Sequence, residues 1–354
     1  MGNLAITYQH IADILSFETS NEKLGKELNY PSFDWDSIVI EGSRHLVLPA
    51  IYCRLKSKQL LHVLPEELKN YLKEITSLNR KRNEAILNQV YSISQLLNKH
   101  KIDHVFLKGS ALLVTDCFED NAERMIGDID ILITLNQLDE SYILLKNNGY
   151  KPIEQTLGNN FIEHKHLPRL KPEHEICAIE LHRKLFVSYE YPQLSSLSLI
   201  NEKVKSANIF IPSQKHLLMH NILNFQINDK GALYKSISFR SAYDIISLQK
   251  DYNYDTIWNQ NKHFINYFKH ASIFFKDLKS NTLADSNYSK SFYLFKLKHI
   301  KFYKFWNKTI TLISLTPVLF RRMLLFLSNK SYRKAVVNDR IRIYKHFKSI
   351  LSNN

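Results

Sequence analysis

Two carboxylates, Asp128 and Asp130, interrupt the apolar run GDIDILI, whose composition is that of a buried strand. Side chains at positions i and i+2 of a strand point to the same face, so the two acids are expected side by side while Ile129 and Ile131 face the core. Like charges at that distance repel each other unless a cation lies between them. Carboxylate oxygens suit Mg²⁺, whose coordination shell a polyphosphate can complete. The pair therefore predicts a magnesium site, and the alternative is a solvated strand edge.

Such a site needs a third acid on a neighbouring strand, and Glu180 is the candidate. It interrupts the apolar segment CAIELHRKL in the same way and lies on the same side as His182. The alternative for Glu180 is a surface acid on an amphipathic strand. His182 either lines the site or supports it through a hydrogen bond. With Asp128 and Asp130, Glu180 completes the predicted set of catalytic, metal-binding carboxylates.

The segment LKGSA places a glycine and a hydroxyl where a strand turns into a helix. Backbone N–H groups and the dipole at a helix N-terminus can receive a phosphate. Gly109 permits close approach, Ser110 can donate to a phosphate oxygen, and Lys108 adds positive charge. Arg124 adds another, and it either contacts a triphosphate or pairs with Asp128. The pattern GxxxxGK[ST] is absent, so this is not a P-loop.

The surrounding apolar periodicity predicts the elements that must hold these residues in place. The core elements are predicted strands at 103–107, 128–134 and 177–185 and predicted helices at 111–115 and 137–147. The first hundred residues are predicted to be helical, with Pro65 followed by two acids as the start of a long helix. From Pro212 the chain is predicted to be helical again.

These elements predict an α+β fold, in which a small mixed sheet is flanked by helical regions at both ends. The expected divisions are an N-terminal helical region, a core, a C-terminal helical region and a basic helical tail, at 1–100, 101–211, 212–289 and 290–354. The Asn-, Lys- and Ser-rich stretch before the tail marks the last boundary. The composition, 44% hydrophobic and 23% charged over 354 residues, is that of a soluble globular protein.

The cysteines and histidines give little support for zinc. Three cysteines lie far apart without a CxxC pair, which fits a reducing cytoplasm. His164, His166, His174 and His182 are predicted to lie mostly in an irregular loop. His216 and His220 have the i, i+4 spacing of a metal site, but apolar neighbours favour core packing or a helix that covers the nucleotide pocket. In the following helix, Arg240 and Asp244 have the spacing of an ion pair.

The segments LKGSALL, RxxGDIDILI, NNGY and IELH, with a later helix that contains His and Asp, resemble a bacterial family of uncharacterised nucleotidyltransferases. That family belongs to the superfamily related to DNA polymerase beta. The resemblance extends from about residue 38 to 248 and is densest over 102–182. It implies that Gly109 and Ser110 bind a nucleoside triphosphate, that Asp128 and Asp130 hold metal, and that Glu180 is the third carboxylate. Lys108, Arg124 and His182 are further candidates for nucleotide binding. The chain differs from the superfamily pattern in the 17 residues between Ser110 and Asp128, and in having Glu180 where Asp is commoner.

The implied reaction is a Mg²⁺-dependent transfer of a nucleoside monophosphate from a triphosphate such as ATP, with pyrophosphate leaving. Two Mg²⁺ ions would be bridged by Asp128 and Asp130, and Glu180 could help to remove the acceptor's proton. The acceptor is unidentified, and a sugar or polysaccharide precursor is one class. Two alternatives are a toxin-like or modifying enzyme that acts on RNA or protein, and a non-catalytic nucleotide-binding scaffold.

The net charge of +14 belongs to the tail alone. Residues 290–354 contain 15 Lys or Arg and a single acid, Asp339, whereas the rest of the chain is balanced. The lysines alternate with aromatic residues in KLKHIKFYKFW, which indicates an anionic membrane surface, RNA, or a solvated helical cap. The following TITLISLTPVLF has only 12 uncharged residues, so it is expected not to span a bilayer. The protein is therefore expected in the cytoplasm, with a peripheral membrane position as the alternative.

Overall fold

The computed structural model describes residues 3–153, 161–173, 176–187, 191–249, 261–278 and 287–352 of the chain. The N-terminal part is helical, as predicted. Its helices are α1 (Leu4–Leu15), α2 (Asn21–Leu28), α3 (Trp35–Arg44), α4 (Leu48–Ser57) and α5 (Glu66–Lys99).

The central part is a small mixed sheet. Its strands are β1 (His104–Leu107), β2 (Ile129–Ile133), β3 (Tyr150–Pro152), β4 (Leu170–Pro172) and β5 (Ile179–His182), with helices α6 (Lys108–Val114) and α7 (Leu138–Asn147) between them. The spatial order is β1-β2-β5-β4-β3. Strands β2 and β5 are parallel, whereas the other neighbours are antiparallel. The expected α+β fold with a mixed sheet is confirmed.

A second helical part follows the sheet. Its elements are α8 (Ser196–Asn201), the hairpin β6 (Val204–Ser206) and β7 (Ile209–Ile211), α9 (Gln214–Leu223), α10 (Gly231–Tyr234), α11 (Phe239–Leu248) and α12 (Lys262–Ala271). The basic tail forms α13 (Asn287–Lys298), α14 (Ile300–Ser328), α15 (Lys330–Asn338) and α16 (Arg340–Ser352). Much of the stretch expected to divide these parts, residues 279–286, lies outside the described residues.

Helix α14 differs from the sequence expectation in length. It runs unbroken for 29 residues through Pro317 and past Arg321 and Arg322, and by length and composition it is long enough and apolar enough to cross a membrane. The sequence-based length of the apolar segment, 12 residues, was too short because the count stopped at the first charged side chain. Length and composition alone do not establish that the helix spans a bilayer.

Helix α5 forms the long support beside the sheet. It begins after Pro65 with two acids in its first turn and has Lys99 in its last, both of which suit the helix dipole. In its second half the helix buries an apolar stripe at three- and four-residue spacing, Ile86, Val90, Ile93 and Leu97. Burial of each such side chain contributes about 1.5–3 kcal/mol to the free energy of unfolding.

The first half of α5 buries polar residues instead. Asn79 donates from Nδ2 to the carbonyl oxygens of Ala122 (2.7 Å) and Arg124 (3.2 Å). Asn83, which is fully buried, donates to the carbonyl oxygens of Arg124 (2.7 Å) and Asn121 (2.5 Å). These bonds hold the segment that leads into β2, and buried carbonyl groups require such partners.

The connection between β1 and α6 is tighter than predicted. Helix α6 begins at Lys108 rather than Ala111, so Gly109 and Ser110 lie in its first turn and not in a loop. Lys108 has a φ of 51°, in the left-handed region that few non-glycine residues adopt. A Cβ atom on Gly109 would lie 3.0 Å from Cγ1 of Ile126, so the glycine allows α6 to pack against the segment before β2.

Replacement of Asn83 by Ala should lower the free energy of unfolding by about 1–3 kcal/mol, because the carbonyl of Asn121 loses its buried donor and that of Arg124 keeps only Asn79. Chemical denaturation measures this change. Asn88→Ala, on the exposed side of the same helix, is the matched control and should change stability by less than about 0.5 kcal/mol. Equal effects of the two substitutions would contradict the structural role of Asn83.

Candidate active site

The parallel pairing of β2 and β5 brings two of the predicted carboxylates together. Asp130 is the register partner of Glu180, and Leu107, at the end of β1, is opposite Asp130 on the other side. Both acids are buried, at 5% and 4% exposure. His182, two residues after Glu180 on the same face, directs Nε2 to Asp130 Oδ1 (2.8 Å) and Glu180 Oε2 (3.3 Å). The ligand atoms of these three residues all lie within 4.8 Å of one another.

Asp128 lies at the edge of this cluster. It precedes β2, is half-buried, and places Oδ2 3.2 Å from Arg169. Arg169 also donates from Nε to Glu180 Oε1 at 2.6 Å, so one guanidinium joins the two acids. The structure therefore brings all three predicted carboxylates to one site, with Asp128 held through an arginine that the sequence patterns did not single out.

Lys108 supplies the second cation of the site. Its Nζ lies 2.5 Å from Asp130 Oδ1, the oxygen that His182 also contacts. Lys108 therefore has a left-handed backbone, and its side chain extends back to Asp130 in β2. Its predicted nucleotide-binding role stays a prediction, whereas its contact with the central acid is a direct observation.

The electrostatic surroundings keep the buried acids ionised. Burial raises the pKa of Asp130, but Lys108 and His182 outweigh it and hold the pKa well below its usual value. Burial likewise opposes ionisation of Glu180, and its hydrogen bond to His182 keeps the pKa low. Burial prevails at Asp128 and raises its pKa despite Arg169. The site is therefore a cluster of buried negative charge that requires cations.

The first turn of α6 lies beside this cluster. Ser110 is fully buried and donates from Oγ to the carbonyl oxygen of Leu107 at 2.9 Å. Gly109 is buried against Ile126. The two residues stand where the sequence places a phosphate-binding turn, and their contact with nucleotide stays a prediction.

Arg124 pairs with Asp244 rather than with Asp128, and its contact with a triphosphate stays a prediction. Its Nε donates to Asp244 Oδ1 at 2.7 Å, and Asn221 donates to the other oxygen of Asp244 at 3.0 Å. The expected ion pair between Arg240 and Asp244 is wrong, because the Asp244 carboxylate is already bound by Arg124 and Asn221. The Arg124–Asp244 pair connects the segment before β2 to α11.

A small cavity of about 70 Å³ lies between the sheet region and helices α9 and α11, next to Lys108. Arg124, Arg240, Asn221 and His220 contribute to its lining. Burial lowers the pKa of Arg240, and the charge of Arg124 adds to this effect. Arg240 makes no ion pair with any residue that the structure describes. It thus brings a positive charge to the wall of this cavity, which Asp229 and Asp244 also line.

A further cation, Lys165, lies close enough to Lys108, Asp130 and Glu180 for their charges to influence its pKa, which burial lowers. Its ammonium group has no carboxylate partner among the residues described. Lys165 and Arg169 come from the segment HKHLPRL, which sequence patterns assign only to a loop. A basic loop that returns to a predicted acidic strand is the signal that could have identified them.

Among the residues that the structure describes, Asp130, Glu180 and His182 are the single group with metal-site geometry, so one of the histidines belongs to it. His166 stands beside that group, 3.7 Å from Glu180, with its ring 5.3 Å from the ring of His182. His174 lies outside the described residues. His216 lies 3.2 Å from the carbonyl oxygen of Gln193, and both histidines are buried. Because His220 also lines the cavity, core packing and a helix that covers the nucleotide pocket both stay predictions.

The comparison with protein families decides the class of this site. A family model described as an uncharacterised nucleotidyltransferase matches residues 31–263, about two thirds of the chain. The chain belongs to this family. It is therefore a transferase, as the sequence resemblance implied, and the match includes the acids, α6 and helices α9 and α11. The basic tail lies outside the match. A comparison with curated proteins found no match.

The donor set of this nucleotidyltransferase fits a divalent cation. Asp130 and Glu180 present carboxylate oxygens on one face of adjacent strands, and oxygen ligands of this kind are those that Mg²⁺ prefers. Asp128 is close enough to share Arg169 with Glu180. Lys108 and Arg169 already bring two positive charges to these acids. The arrangement can hold a metal through Asp130 and Glu180, with Asp128 at its edge.

His220 should give the nucleotidyltransferase a measurable pH dependence of stability. Burial lowers its pKa to about 3, with Lys108 acting in the same direction. Below about pH 6.5 the unfolded chain therefore binds a proton that the folded protein does not, so stability falls as the pH drops towards 3. Between pH 7 and pH 5 the parent should lose about 2 kcal/mol more unfolding free energy than His220→Gln.

Urea denaturation at several pH values measures this difference, and groups that titrate in both proteins cancel. The same substitution at His62, on the surface, controls for the removal of a histidine. Parallel pH curves for the parent and His220→Gln would show that the folded protein protonates His220 normally.

Proposed function

We propose that this protein is a Mg²⁺-dependent nucleotidyltransferase that transfers a nucleoside monophosphate from a nucleoside triphosphate to an acceptor hydroxyl. The observation that carries the proposal is the register of β2 and β5, which sets Asp130 beside Glu180 at the end of β1, next to the turn that contains Gly109 and Ser110. The family match supports the class of reaction. The metal, the nucleotide and the acceptor are the proposed parts.

In this proposal, Asp130 and Glu180 hold Mg²⁺ and Asp128 joins them, with two ions in the complete site. When bound there, the metal supplies positive charge that stabilises the attacking and leaving oxygens of an in-line displacement at the α-phosphate. Glu180 accepts the proton of the acceptor hydroxyl. His182, with Nε2 near both buried acids, holds their orientation.

The cations of the site have two successive roles in the proposal. Lys108 and Arg169 contact the acids and compensate their charge. The triphosphate then provides a competing set of oxygens, to which Lys108 can turn. Lys165 and Arg240 lack carboxylate partners in the described part of the chain. They can therefore bind phosphate without first leaving an ion pair. Arg124 stays bound to Asp244 and supports the cavity wall.

For the acceptor, we propose a sugar or polysaccharide precursor. Two other functions are the modification of RNA or protein, for which the basic tail at 290–354 would be the docking surface, and a non-catalytic nucleotide-binding scaffold. The scaffold is the less favoured, because the buried acids of the cluster are costly without a function. An anionic partner of the tail, either a membrane surface or RNA, completes the proposal.

One labelling experiment separates these acceptors. The protein is incubated with each α-³²P-labelled nucleoside triphosphate, Mg²⁺ and a cell extract, and label is then measured in small-molecule, RNA and protein fractions. We expect label in the small-molecule fraction, dependent on Mg²⁺. Label in RNA or protein would select the second function, and no label in any fraction, with nucleotide still bound, would select the scaffold.

Asp130→Asn should reduce labelling at least about 100-fold, because even outer partners of metal ligands are worth 10–100-fold. The substitution keeps the size of the side chain and removes its charge. Asp139→Asn, at an exposed position in α7, is the matched control and should label as the parent does. Unreduced labelling by Asp130→Asn, with the fold intact by circular dichroism, would show that the catalytic site lies elsewhere.

Arg240→Met should raise the KM for the triphosphate about 10-fold or more while kcat changes little, because a charge-assisted hydrogen bond is worth about 1.5–3 kcal/mol. Steady-state kinetics with varied nucleotide measures both constants. Arg44→Met, at an arginine with an exposed side chain outside the cavity, is the control. A loss confined to kcat would place Arg240 in the chemical step rather than in nucleotide binding.

A further inference from the structure

Helix α14 presents apolar side chains to the outside of the protein. In its most apolar 18-residue window, only 6% is buried. From residue 312 onwards, large side chains are between about a third and two thirds exposed, among them Leu312, Leu319, Phe320, Met323, Leu324 and Leu327. A surface helix of a soluble protein normally has the opposite arrangement, with its apolar stripe towards the core.

The side of α14 that contacts the protein carries two hydroxyl groups and the buried Ile310. The hydroxyl of Thr311 is 2.8 Å from the hydroxyl of Tyr234, and Ser314 accepts from Lys230 Nζ at 3.2 Å. At 100° per residue, Arg321 lies within about 20° of Ser314, whereas Leu312, Leu319 and Met323 lie about 140–180° away. The side of the helix opposite Ser314 is therefore predominantly apolar and is turned outwards.

The outward face is too apolar to be left in water. Burial of large apolar side chains is favourable, and the exposed set extends over four turns of helix. Exposed apolar patches of this extent mark an interaction surface. The basic charge identifies the partner, because the tail has 15 Lys or Arg and one acid. Lys and Arg side chains near an anionic lipid surface strengthen binding to it.

We propose that α14 lies in the plane of an anionic membrane surface, with its apolar half in the acyl boundary and the flanking lysines and arginines among the headgroups. An amphipathic helix with basic flanks binds a membrane in this way. The family match does not include this part of the chain. The inference selects the membrane surface from the two partners proposed for the tail, and since membrane binding needs no catalysis, its test is independent of the transfer reaction.

The contacts of α14 favour an in-plane orientation over a transmembrane one. Thr311 and Ser314 are bonded to α10 and the residue before it, which holds the helix against the protein. Arg321 and Arg322 lie inside the apolar stretch, where charged side chains are unfavourable at the centre of a spanning helix. In the plane of the membrane, Arg321, which is on the side of Ser314, stays among the headgroups.

The tail also contacts the loop of the catalytic site. Tyr332 of α15 is buried, and its ring lies 5.5 Å from the ring of Phe161. The segment that begins at Phe161 continues to Lys165 and Arg169 beside the acids. Since α15 follows α14 directly, a membrane under α14 would lie near this loop. An acceptor carried at a membrane surface would therefore reach the site without entering bulk solvent.

Co-sedimentation with vesicles tests the proposal. The full-length protein is mixed with vesicles of phosphatidylcholine alone, or of phosphatidylcholine and phosphatidylglycerol in equal parts. We expect binding to the anionic vesicles, and at least a 10-fold loss of affinity in Leu319→Glu/Phe320→Glu. The control Leu135→Glu/Leu197→Glu makes the same charge change at exposed leucines outside the tail and should bind as the parent does. No binding by the parent, or equal binding by both variants, would overturn the proposal.

Further measurements distinguish the membrane from other partners of the apolar face of α14, and they test the orientation of this helix in the membrane. Light scattering that finds a dimer, converted to a monomer by Leu319→Glu/Phe320→Glu, would assign the apolar face to a second copy if vesicles do not bind. Binding to RNA but not to vesicles would likewise overturn the proposal. For the orientation, a fluorophore at Leu312→Cys, Leu319→Cys or Leu327→Cys should be quenched at one shallow depth by lipid-attached quenchers. The labelled parent reports the native cysteines as background, and graded depths would instead show a spanning helix.

Discussion

The pairing of two buried acids on adjacent parallel strands is the constraint on which the rest of the site depends. Asp130 and Glu180 are side by side because β2 and β5 share a register, and a shift of one residue would turn one of them into the core. Two buried carboxylates at that distance repel each other, so the fold must bring cations to them. Lys108 arrives from the β1 side and Arg169 from the β4 side. Helix α6 and the segment before β4 hold these two cations in contact with the acids.

The support for the acids is polar rather than apolar. The segment before β2 is held by buried asparagines of α5 and by the ion pair between Arg124 and Asp244. These bonds are directional, so they set the position of Asp128 and the start of β2 more closely than apolar packing alone. Through Asp244 they also connect the sheet to α11, which lines the cavity beside Lys108. The nucleotidyltransferase core and the second helical part thus both line this cavity.

Much of the fold and the three acids could be predicted from the sequence because their signals are local. Asp128 and Asp130 alternate with isoleucines, and Glu180 breaks an apolar strand two residues before His182. The partners of these acids could not be predicted in the same way. Arg169 reaches the site only because β4 pairs with β5, and β4 is three residues long and ends in proline. The extent of α14 was missed because two arginines were taken as its end, although an arginine favours a helix as well as most residues do.

Lys108 combines a strained backbone with a positive charge placed beside Asp130. A left-handed backbone costs a residue other than glycine about 1–2 kcal/mol, and the position directly after it is a glycine that is not in that conformation. A glycine at 108 would relieve the strain but would leave Asp130 without its ammonium partner. Removing one partner of a buried ion pair costs more than this strain, so stability itself favours the lysine. The strand-to-helix turn is therefore a place where the protein accepts a strained backbone in order to keep a charge in position.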